Sequence, residues 1–314
     1  MNPPRIVALT GATGFIGGAI GRRLLEEGCA VRALCRPKSA RGRSERPGLT
    51  WIPGSLEDGD SLARLVDGVD AVVHCAGAVR GARRRDFDRV NVDGLERIVR
   101  RARAAGVPRF LLVSSLAARA PWLSAYAASK RAGEALLARE AGAMRWTALR
   151  PPAVYGPGDR ELRPLFAWIA RGWLPVLNRA DARFSLLYVD DLASAVVCWL
   201  RAGGGGGRVF ELHDGRAEGY SWADVAGTAG RLLGRPVRRL ALPASLLKGA
   251  AAVNLALALA AGRSPMLTPG KVRELRHPDW VCSNGPYHEA TGWEPRVDLE
   301  AALRRTFGWG GRGG

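Results

Sequence analysis

Residues 10–17 read Thr10-Gly11-Ala12-Thr13-Gly14-Phe15-Ile16-Gly17, and they follow the short apolar run Arg-Ile-Val-Ala-Leu at 5–9. A run this short, apolar and rich in β-branched side chains predicts a strand buried on both faces of a parallel sheet. The segment 19–27 predicts a helix that ends at Gly28. A strand, a glycine turn and a helix form the first unit of a dinucleotide-binding fold, in which a pyrophosphate lies against the helix N-terminus. The spacing is GxxGxxG rather than GxGxxG, and in this context it predicts a nucleotide site.

The composition is that of a globular α/β protein. The chain has 314 residues, 47% of them hydrophobic, which is enough for one large domain and a smaller region. Residues 1–4 have neither the length nor the apolar character of a signal peptide. The five cysteines form no CxxC pair and predict reduced, packed thiols. We expect a cytoplasmic protein, with the inner membrane surface as a second location, and no metal site.

The net charge of +18 comes from 47 basic and 29 acidic residues. Such a balance can reflect nucleic acid, an anionic membrane surface, acidic small molecules or the amino-acid usage of a GC-rich genome. The basic residues are dispersed apart from those at 83–85 and 97–103, and the sequence has no nucleic-acid-binding motif. We therefore expect no nucleic-acid partner.

The end of the second predicted strand, 30–35, bears on the choice of cofactor. An acidic residue there would bind the ribose hydroxyls of NAD. This chain has Cys35 followed by Arg36 and Lys38, and a guanidinium suits the 2′-phosphate of NADP. The alternative interpretation is a solvated basic loop. We predict NADP(H), with Arg36 among the residues that bind it.

Further strands are predicted over 49–52, 70–77 and 109–115, and a helix over 91–105. The second of these strands ends in Ala76 and Gly77, small residues that let a backbone pass close to a cofactor. His74 in the same strand is predicted to be packed rather than catalytic. The third ends at Ser115, at the edge of the sheet where ligands gather.

Tyr126 and Lys130 belong to the sequence Tyr-Ala-Ala-Ser-Lys. On a helix, positions i and i+4 share a face, so the phenol and the ammonium are expected to project together. A nearby cation lowers the pKa of a tyrosine and makes it an acid or base near neutral pH. Ser115 precedes Tyr126 by eleven residues and could polarise a carbonyl.

Together with these motifs, the segments 150–157, 187–192 and 291–295 resemble an extended short-chain dehydrogenase/reductase, the group of NAD(P)-dependent epimerases, dehydratases and reductases. The resemblance covers nearly the whole chain. It implies an oxidoreductase with a doubly wound parallel Rossmann sheet of the α/β class and a smaller C-terminal substrate-binding region. It also implies Ser115, Tyr126 and Lys130 as the catalytic set.

The same resemblance implies how the chain is divided. An NADP-binding Rossmann domain would occupy 1–155, with 184–214 returning to it, and the substrate-binding region would contain 156–183 and 215–314. The cofactor-binding residues would be Gly11, Thr13, Gly14, Phe15, Ile16, Gly17, Arg36, Ala76, Gly77, Tyr126, Lys130, Pro151 and Val154.

Departures from the family patterns bear on the substrate. Nucleotide-sugar epimerases usually carry an asparagine where this chain has Ala153, and dehydratases have an Asp-Glu pair where it has 116–118, Leu-Ala-Ala. The aspartate that often lies near the adenine is Ser55 here. These departures favour a reductase of some other carbonyl. The alternatives are an epimerase with transient hydride transfer and a non-catalytic, cofactor-bound assembly protein.

The segment 243–262 is almost entirely apolar, and 245–261 predicts a helix. At about 1.5 Å per residue this helix is about 25 Å long, shorter than the bilayer core of about 30 Å, and it contains Lys248 and Asn254. We expect no membrane span. The helix could pack against the substrate region, or it could lie on a membrane or shelter a lipid chain.

This helix and the tail that follows at 266–280 resemble the reductases attributed to bacterial sphingolipid synthesis, which reduce the 3-keto group of a ceramide precursor. The resemblance implies NADPH-dependent reduction of a ketone on a lipid-like substrate. An anionic membrane surface and a second copy of the chain are the other partners to consider.

Overall fold

The structure is a computed structural model that describes residues 6–40, 46–177, 181–203 and 206–310. Three features of the sequence analysis lie outside the described residues. They are residues 1–4, which are predicted not to be a signal peptide, the first residue of the predicted strand 5–9, and the side chain of Lys38. Residues 311–314 of the predicted substrate-binding region also lie outside them.

The strands of the described residues are β1 (Ile6–Thr10), β2 (Ala30–Cys35), β3 (Leu49–Pro53), β4 (Ala71–His74), β5 (Arg109–Val113), β6 (Arg145–Arg150), β7 (Ala153–Tyr155), β8 (Trp173–Val176), β9 (Arg183–Phe184), β10 (Leu186–Tyr188), β11 (Arg208–Glu211), β12 (Arg238–Ala241) and β13 (Asp279–Trp280).

The helices of the same residues are α1 (Phe15–Glu26), α2 (Pro37–Ala40), α3 (Gly59–Val66), α4 (Arg84–Asp88), α5 (Leu95–Ala104), α6 (Ala125–Glu140), α7 (Arg163–Ala170), α8 (Val189–Arg201), α9 (Trp222–Leu233), α10 (Ala244–Ala260), α11 (Pro269–Arg276), α12 (Gly285–Thr291) and α13 (Leu299–Phe307). A π-helical segment (Arg89–Gly94) and a short 3₁₀ helix (Leu116–Arg119) complete them.

Seven parallel strands form the central sheet in the order β11-β6-β5-β4-β1-β2-β3. Leu9 of β1 lies opposite Ala33 of β2 and Val73 of β4. The order reverses between β1 and β4, and ligands of such sheets bind in the crevice that this reversal opens at the carboxyl ends of the strands. The predicted doubly wound parallel Rossmann sheet is confirmed.

Helices cover both faces of the sheet. On one face, Ile20 of α1 and Val196 of α8 are fully buried against the strands. On the other, Leu62 of α3, Ile98 of α5 and Leu137 of α6 are equally buried. Because both faces are covered, the central strands are apolar throughout, as the sequence of β1 predicted.

A third core lies outside the central sheet. It contains Tyr155, Phe166 of α7, Leu174 of β8, Tyr220 and Leu303 of α13. These residues come from segments on both sides of α8, which itself packs on the sheet. The domain boundaries stay a prediction.

Several elements begin or end elsewhere than expected. Helix α1 begins at Phe15 rather than at residue 19, because the extended backbone of Gly14 starts it within the glycine turn. Strand β4 ends at His74, and the next three residues form a loop. The helix expected over 91–105 does not start at Asn91, which lies inside the π-helical segment between α4 and α5. The apolar helix α10 has the expected extent within one residue at each end.

No helix of the described residues combines the length and the apolar character that crossing a membrane requires.

Candidate active site

The glycine turn after β1 forms a tight cradle. Gly11 has φ +74°, and a Cβ atom there would lie 2.7 Å from the backbone nitrogen of Ala76. A Cβ atom on Gly17 would overlap the carbonyl oxygen of Gly11. Gly14 begins α1 and has no side chain that could cap it. The first-turn N–H groups of the helix are thus left for a ligand, and the cradle fits the pyrophosphate of a dinucleotide.

The end of β4 is held against β1 by side-chain hydrogen bonds. The hydroxyl oxygen of Thr10 lies 2.9 Å from His74 Nδ1 and accepts the N–H of Ala76 at 3.2 Å. Burial lowers the pKa of His74 to about 3, and the charge of Lys130 acts in the same direction. His74 is therefore a neutral, packed residue, as predicted.

Asn91 holds the loop after β4 from the opposite side. Its amide accepts the N–H of Ala78 at 2.8 Å and donates to the carbonyl oxygen of Ala78 at 3.0 Å and to the Ser129 hydroxyl at 2.9 Å. A Cβ atom on Gly77 would lie 3.2 Å from its Oδ1 atom. The sequence predicts Asn91 only as the start of a helix. The signal for its role was that Asn91 is a polar residue on the side of the helix that is otherwise buried.

Ser115 and Tyr126 meet at the end of β5. Ser124 caps α6, so that Tyr126 lies in its first turn. Ser115 caps the short 3₁₀ helix by accepting the N–H of Ala117 at 3.2 Å, and it is hydrogen-bonded to the Tyr126 side chain. Because the Ser115 oxygen already accepts a backbone N–H, its own proton is available to an oxygen nearby.

The expected lowering of the Tyr126 pKa is wrong for this structure. Burial raises the pKa of Tyr126 to about 12; the hydrogen bond with Ser115 acts to lower it, and the charge of Glu274 raises it further. Lys130 does not oppose this rise, because its Nζ atom is turned toward the sheet and donates to the carbonyl oxygen of Val113 at 2.9 Å. Tyr126 is thus a protonated phenol at neutral pH.

Lys130 lies beneath the loop that ends β4. Burial lowers the pKa of Lys130 to about 8, while Cys75 and Glu134 act in the opposite direction. A Cβ atom on Gly77 would lie 3.5 Å from the Lys130 Nζ atom. The ammonium therefore faces the backbone that borders the glycine cradle, rather than the phenol of Tyr126.

The remaining predicted site residues lie around the same crevice. Arg36 is exposed at the end of β2. The carbonyl oxygen of Pro151 accepts the N–H of Leu116 at 2.8 Å, which joins it to the Ser115 turn. Val154 packs partly buried against the sheet core, as do Phe15 and Ile16. Thr13 is exposed in the glycine turn.

A cavity of about 200 Å³ opens beside Tyr126. Its apolar wall contains Val79, Phe87, Leu255 and Met266. The Phe87 and Tyr126 rings meet edge to face, 6.0 Å between centroids.

Helix α11 forms the polar side of this cavity. The Glu274 carboxylate accepts hydrogen bonds from Ser124 and from Lys271 Nζ, the latter at 2.8 Å, and the same Nζ atom lies 5.8 Å from the centre of the Tyr126 ring. Neither Lys271 nor Glu274 belongs to a recognisable sequence motif, so the sequence alone does not predict them as site residues. The described residues contain no cluster of three or more His, Cys, Asp and Glu side chains that could hold a metal ion.

Comparison with known proteins identifies the family of the chain and supports the fold described above. The family model for the NAD dependent epimerase/dehydratase family matches residues 7–212. A ceramide reductase of Caulobacter vibrioides is 39% identical over 97% of this chain and 94% of its own length. A 2-alkyl-3-oxoalkanoate reductase of Stenotrophomonas maltophilia is 28% identical over 95% and 97% of the two chains. The solved structure of DesIV, a dTDP-glucose 4,6-dehydratase of Streptomyces venezuelae with NAD and TYD bound, has a TM-score of 0.72 at 23% identity and covers 97% of this chain and 96% of its own.

Proposed function

Because the chain belongs to the NAD dependent epimerase/dehydratase family and is an NAD(P)-dependent oxidoreductase, we propose that it reduces a ketone on a lipid-like substrate with NADPH. The observation that carries this proposal is the position of Tyr126. Its phenol is hydrogen-bonded to Ser115 at the end of β5 and borders a cavity that has one apolar wall.

The cavity supports a lipid-like substrate. Leu255 and Met266 come from the apolar helix and from the tail that follows it, and they line the cavity beside Tyr126. The apolar wall suits an acyl chain, and the polar side formed by α11 would fix the orientation of a ligand. The similarity to a ceramide reductase supports the 3-keto group of a ceramide precursor as the reacting group.

The protonation states suit reduction. A bound nicotinamide cofactor would supply the hydride. Tyr126, held protonated by a pKa of about 12, would donate its proton to the carbonyl oxygen as that oxygen gains negative charge. Ser115 would donate a hydrogen bond to the same oxygen. Lys130, below the loop at Gly77, would hold the ribose hydroxyls of the cofactor.

NADPH rather than NADH is proposed because of Arg36. This exposed guanidinium follows β2, at the position where an acidic residue binds the ribose of NAD. A guanidinium forms paired hydrogen bonds with a phosphate and would favour the 2′-phosphate of NADPH.

An epimerase is the second candidate, since the chain belongs to a family that contains epimerases and dehydratases. Such an enzyme takes a hydride from its substrate and returns it, with no net consumption of cofactor. The methyl side chain of Ala153, exposed at the start of β7, can form no hydrogen bond with a sugar nucleotide.

One assay separates these functions. The purified protein is mixed with NADPH and detergent-dispersed 3-keto-dihydroceramide, and NADPH absorbance and the lipid product are followed together. The proposal predicts one NADPH oxidised for each 3-hydroxy product formed. Absence of NADPH oxidation with this substrate, together with interconversion of UDP-glucose and UDP-galactose, would establish an epimerase. A protein that binds NADPH and turns over neither substrate would support the non-catalytic assembly role.

A further inference from the structure

Helix α10 exposes large apolar side chains on one face. Leu246, Val253 and Leu257 are 65%, 60% and 65% exposed. Because they are spaced seven and four residues apart, they lie on one stripe of the helix. Ala251 and Ala258 on the other side are buried. A surface helix ordinarily turns its large apolar residues inward, whereas α10 leaves these three exposed.

The inner side of α10 faces the proposed site. Leu255 lines the cavity beside Tyr126, together with Met266 from the tail that follows the helix. The Asn254 side chain donates a 2.8 Å hydrogen bond to the carbonyl oxygen of Leu267, which fixes the helix to that tail. Helix α10 therefore stands between the cavity and the solvent.

The segment around α10 is mainly basic, although one of its basic residues, Lys271, is paired with Glu274. From residue 235 to residue 273 the chain has seven basic residues and no acidic residue. Lys248 and Arg263 are exposed on the helix and just after it. Basic side chains on and next to an exposed apolar helix are typical of elements that lie at a lipid headgroup layer.

We propose that α10 lies on an anionic lipid bilayer, with Leu246, Val253 and Leu257 among the acyl chains and the basic residues at the headgroups. The inference rests on the proposed function in one respect: a lipid substrate would enter the cavity beside Leu255 from the bilayer, without crossing water. At about 25 Å, the helix would lie along the surface rather than span it.

The charges favour a bilayer over a second copy of the chain. A symmetric dimer through this face would bring the same basic residues of both copies together, since an isologous interface pairs a patch with itself. An anionic bilayer instead neutralises them, and each basic residue near the surface adds to binding.

The test is co-sedimentation with vesicles. One set contains phosphatidylglycerol and phosphatidylethanolamine in equal parts, and the other phosphatidylcholine alone. We expect the native protein to sediment with the anionic vesicles and to be released only in part by high salt, because salt screens the charges but not the apolar contact. The variant Leu246→Glu with Leu257→Glu should lower the salt-resistant bound fraction by about tenfold or more.

A charge-matched control isolates the apolar face. Ala104→Glu with Val209→Glu adds the same two charges at exposed positions of α5 and β11 and should sediment like the native protein. NADPH titration of all three proteins reports whether the Rossmann sheet is folded. The proposal is overturned if the native protein stays in the supernatant with anionic vesicles, or if both variants sediment equally. It is also overturned if ultracentrifugation shows a native dimer that the α10 variant converts to a monomer without any vesicle binding.

The membrane proposal and the proposed reductase function can be contradicted independently of each other. Reduction of detergent-dispersed 3-keto-dihydroceramide without vesicle binding would overturn only the membrane proposal. Vesicle binding without reduction would leave α10 as a membrane element and overturn the proposed substrate.

Discussion

Arg150 and Glu134 form a bidentate ion pair beneath the end of β5. Arg150 donates from Nε and Nη2 to the two carboxylate oxygens at 2.9 and 2.7 Å. The hydroxyl of Ser114, next to Ser115, donates to the same carboxylate at 2.6 Å. The Glu134 side chain is 3% exposed. The pair joins α6, which carries Tyr126, to β6, and it sets the distance between the helix and the strand end on which the proposed chemistry depends.

Glu134→Gln is expected to destabilise the protein strongly. The variant leaves Arg150 buried without its main counter-charge, a change that typically costs about 3–5 kcal/mol; Glu211, 3.5 Å from Arg150, makes the lower end of that range the expectation. Glu96→Gln removes one of the two carboxylate partners of Arg100 on the surface of α5 and should cost about 0.2–1 kcal/mol. Urea unfolding at neutral pH measures both. Equal losses would contradict the structural role of the buried pair.

Tyr126→Phe is expected to reduce kcat by about 10²–10⁴, the usual contribution of a general acid. The phenyl ring preserves the packing against Phe87, so the dissociation constant for NADPH should stay close to that of the native protein. Tyr155→Phe makes the same chemical change in the third core and serves as the control. Near-native turnover of the Tyr126 variant would show that the proton comes from another group.

Arg36→Ala is expected to remove most of the preference for NADPH. Loss of a charge-assisted hydrogen bond to a phosphate is worth about 1–3 kcal/mol, and NADH, which has no 2′-phosphate, should bind almost unchanged. Fluorescence titration with both cofactors gives the ratio, and Arg100→Ala on α5 is the control. Tighter binding of NADH than of NADPH by the native protein would contradict the assignment.

Stability is expected to fall in acid because of His74. Its pKa is about 3 in the folded protein and about 6.5 in the unfolded chain, so the unfolded state takes up the proton first as the pH falls. The stabilisation is complete above pH 6.5 and is lost toward pH 3 at up to about 1.4 kcal/mol per pH unit. His74→Asn keeps an acceptor for Thr10 without a titrating ring. Its unfolding free energy should therefore fall less steeply over this interval; parallel profiles would contradict the prediction.

Ser124→Ala is expected to affect both stability and catalysis. The Ser124 hydroxyl accepts the N–H of Ala127 at 2.9 Å and donates to Glu274, so its loss removes the cap of α6 and one donor of a buried carboxylate. The cap alone is typically worth about 0.5–2 kcal/mol. Because Tyr126 lies in the same turn, kcat/KM should fall as well. Ser221→Ala removes the cap of α9 and should cost similar stability while leaving kcat/KM unchanged.

Local pattern determined the architecture and much of the candidate site. The apolar run of β1, the glycines at 11, 14 and 17 and the Tyr126–Lys130 spacing each act within one strand, turn or helix. Gly11 and Gly17 are required because a Cβ atom at either position would meet backbone atoms. The constraint on Gly17 is visible in sequence because it depends on the nearby Gly11, whereas Gly11 is confined by the backbone of Cys75 and Ala76, which only the fold brings to it.

The tertiary structure decided the electrostatics of the site. The pKa of Tyr126 rises because burial outweighs the hydrogen bond from Ser115, while Lys130 is directed to Val113 instead. Glu274 reaches this site by accepting a hydrogen bond from Ser124, which lies 150 residues earlier in the sequence. Burial and long-range contacts sum over segments that are distant along the chain, so no local pattern contains them. For the same reason, only the fold showed that Leu255 of α10 lines the cavity while Leu246, Val253 and Leu257 are exposed.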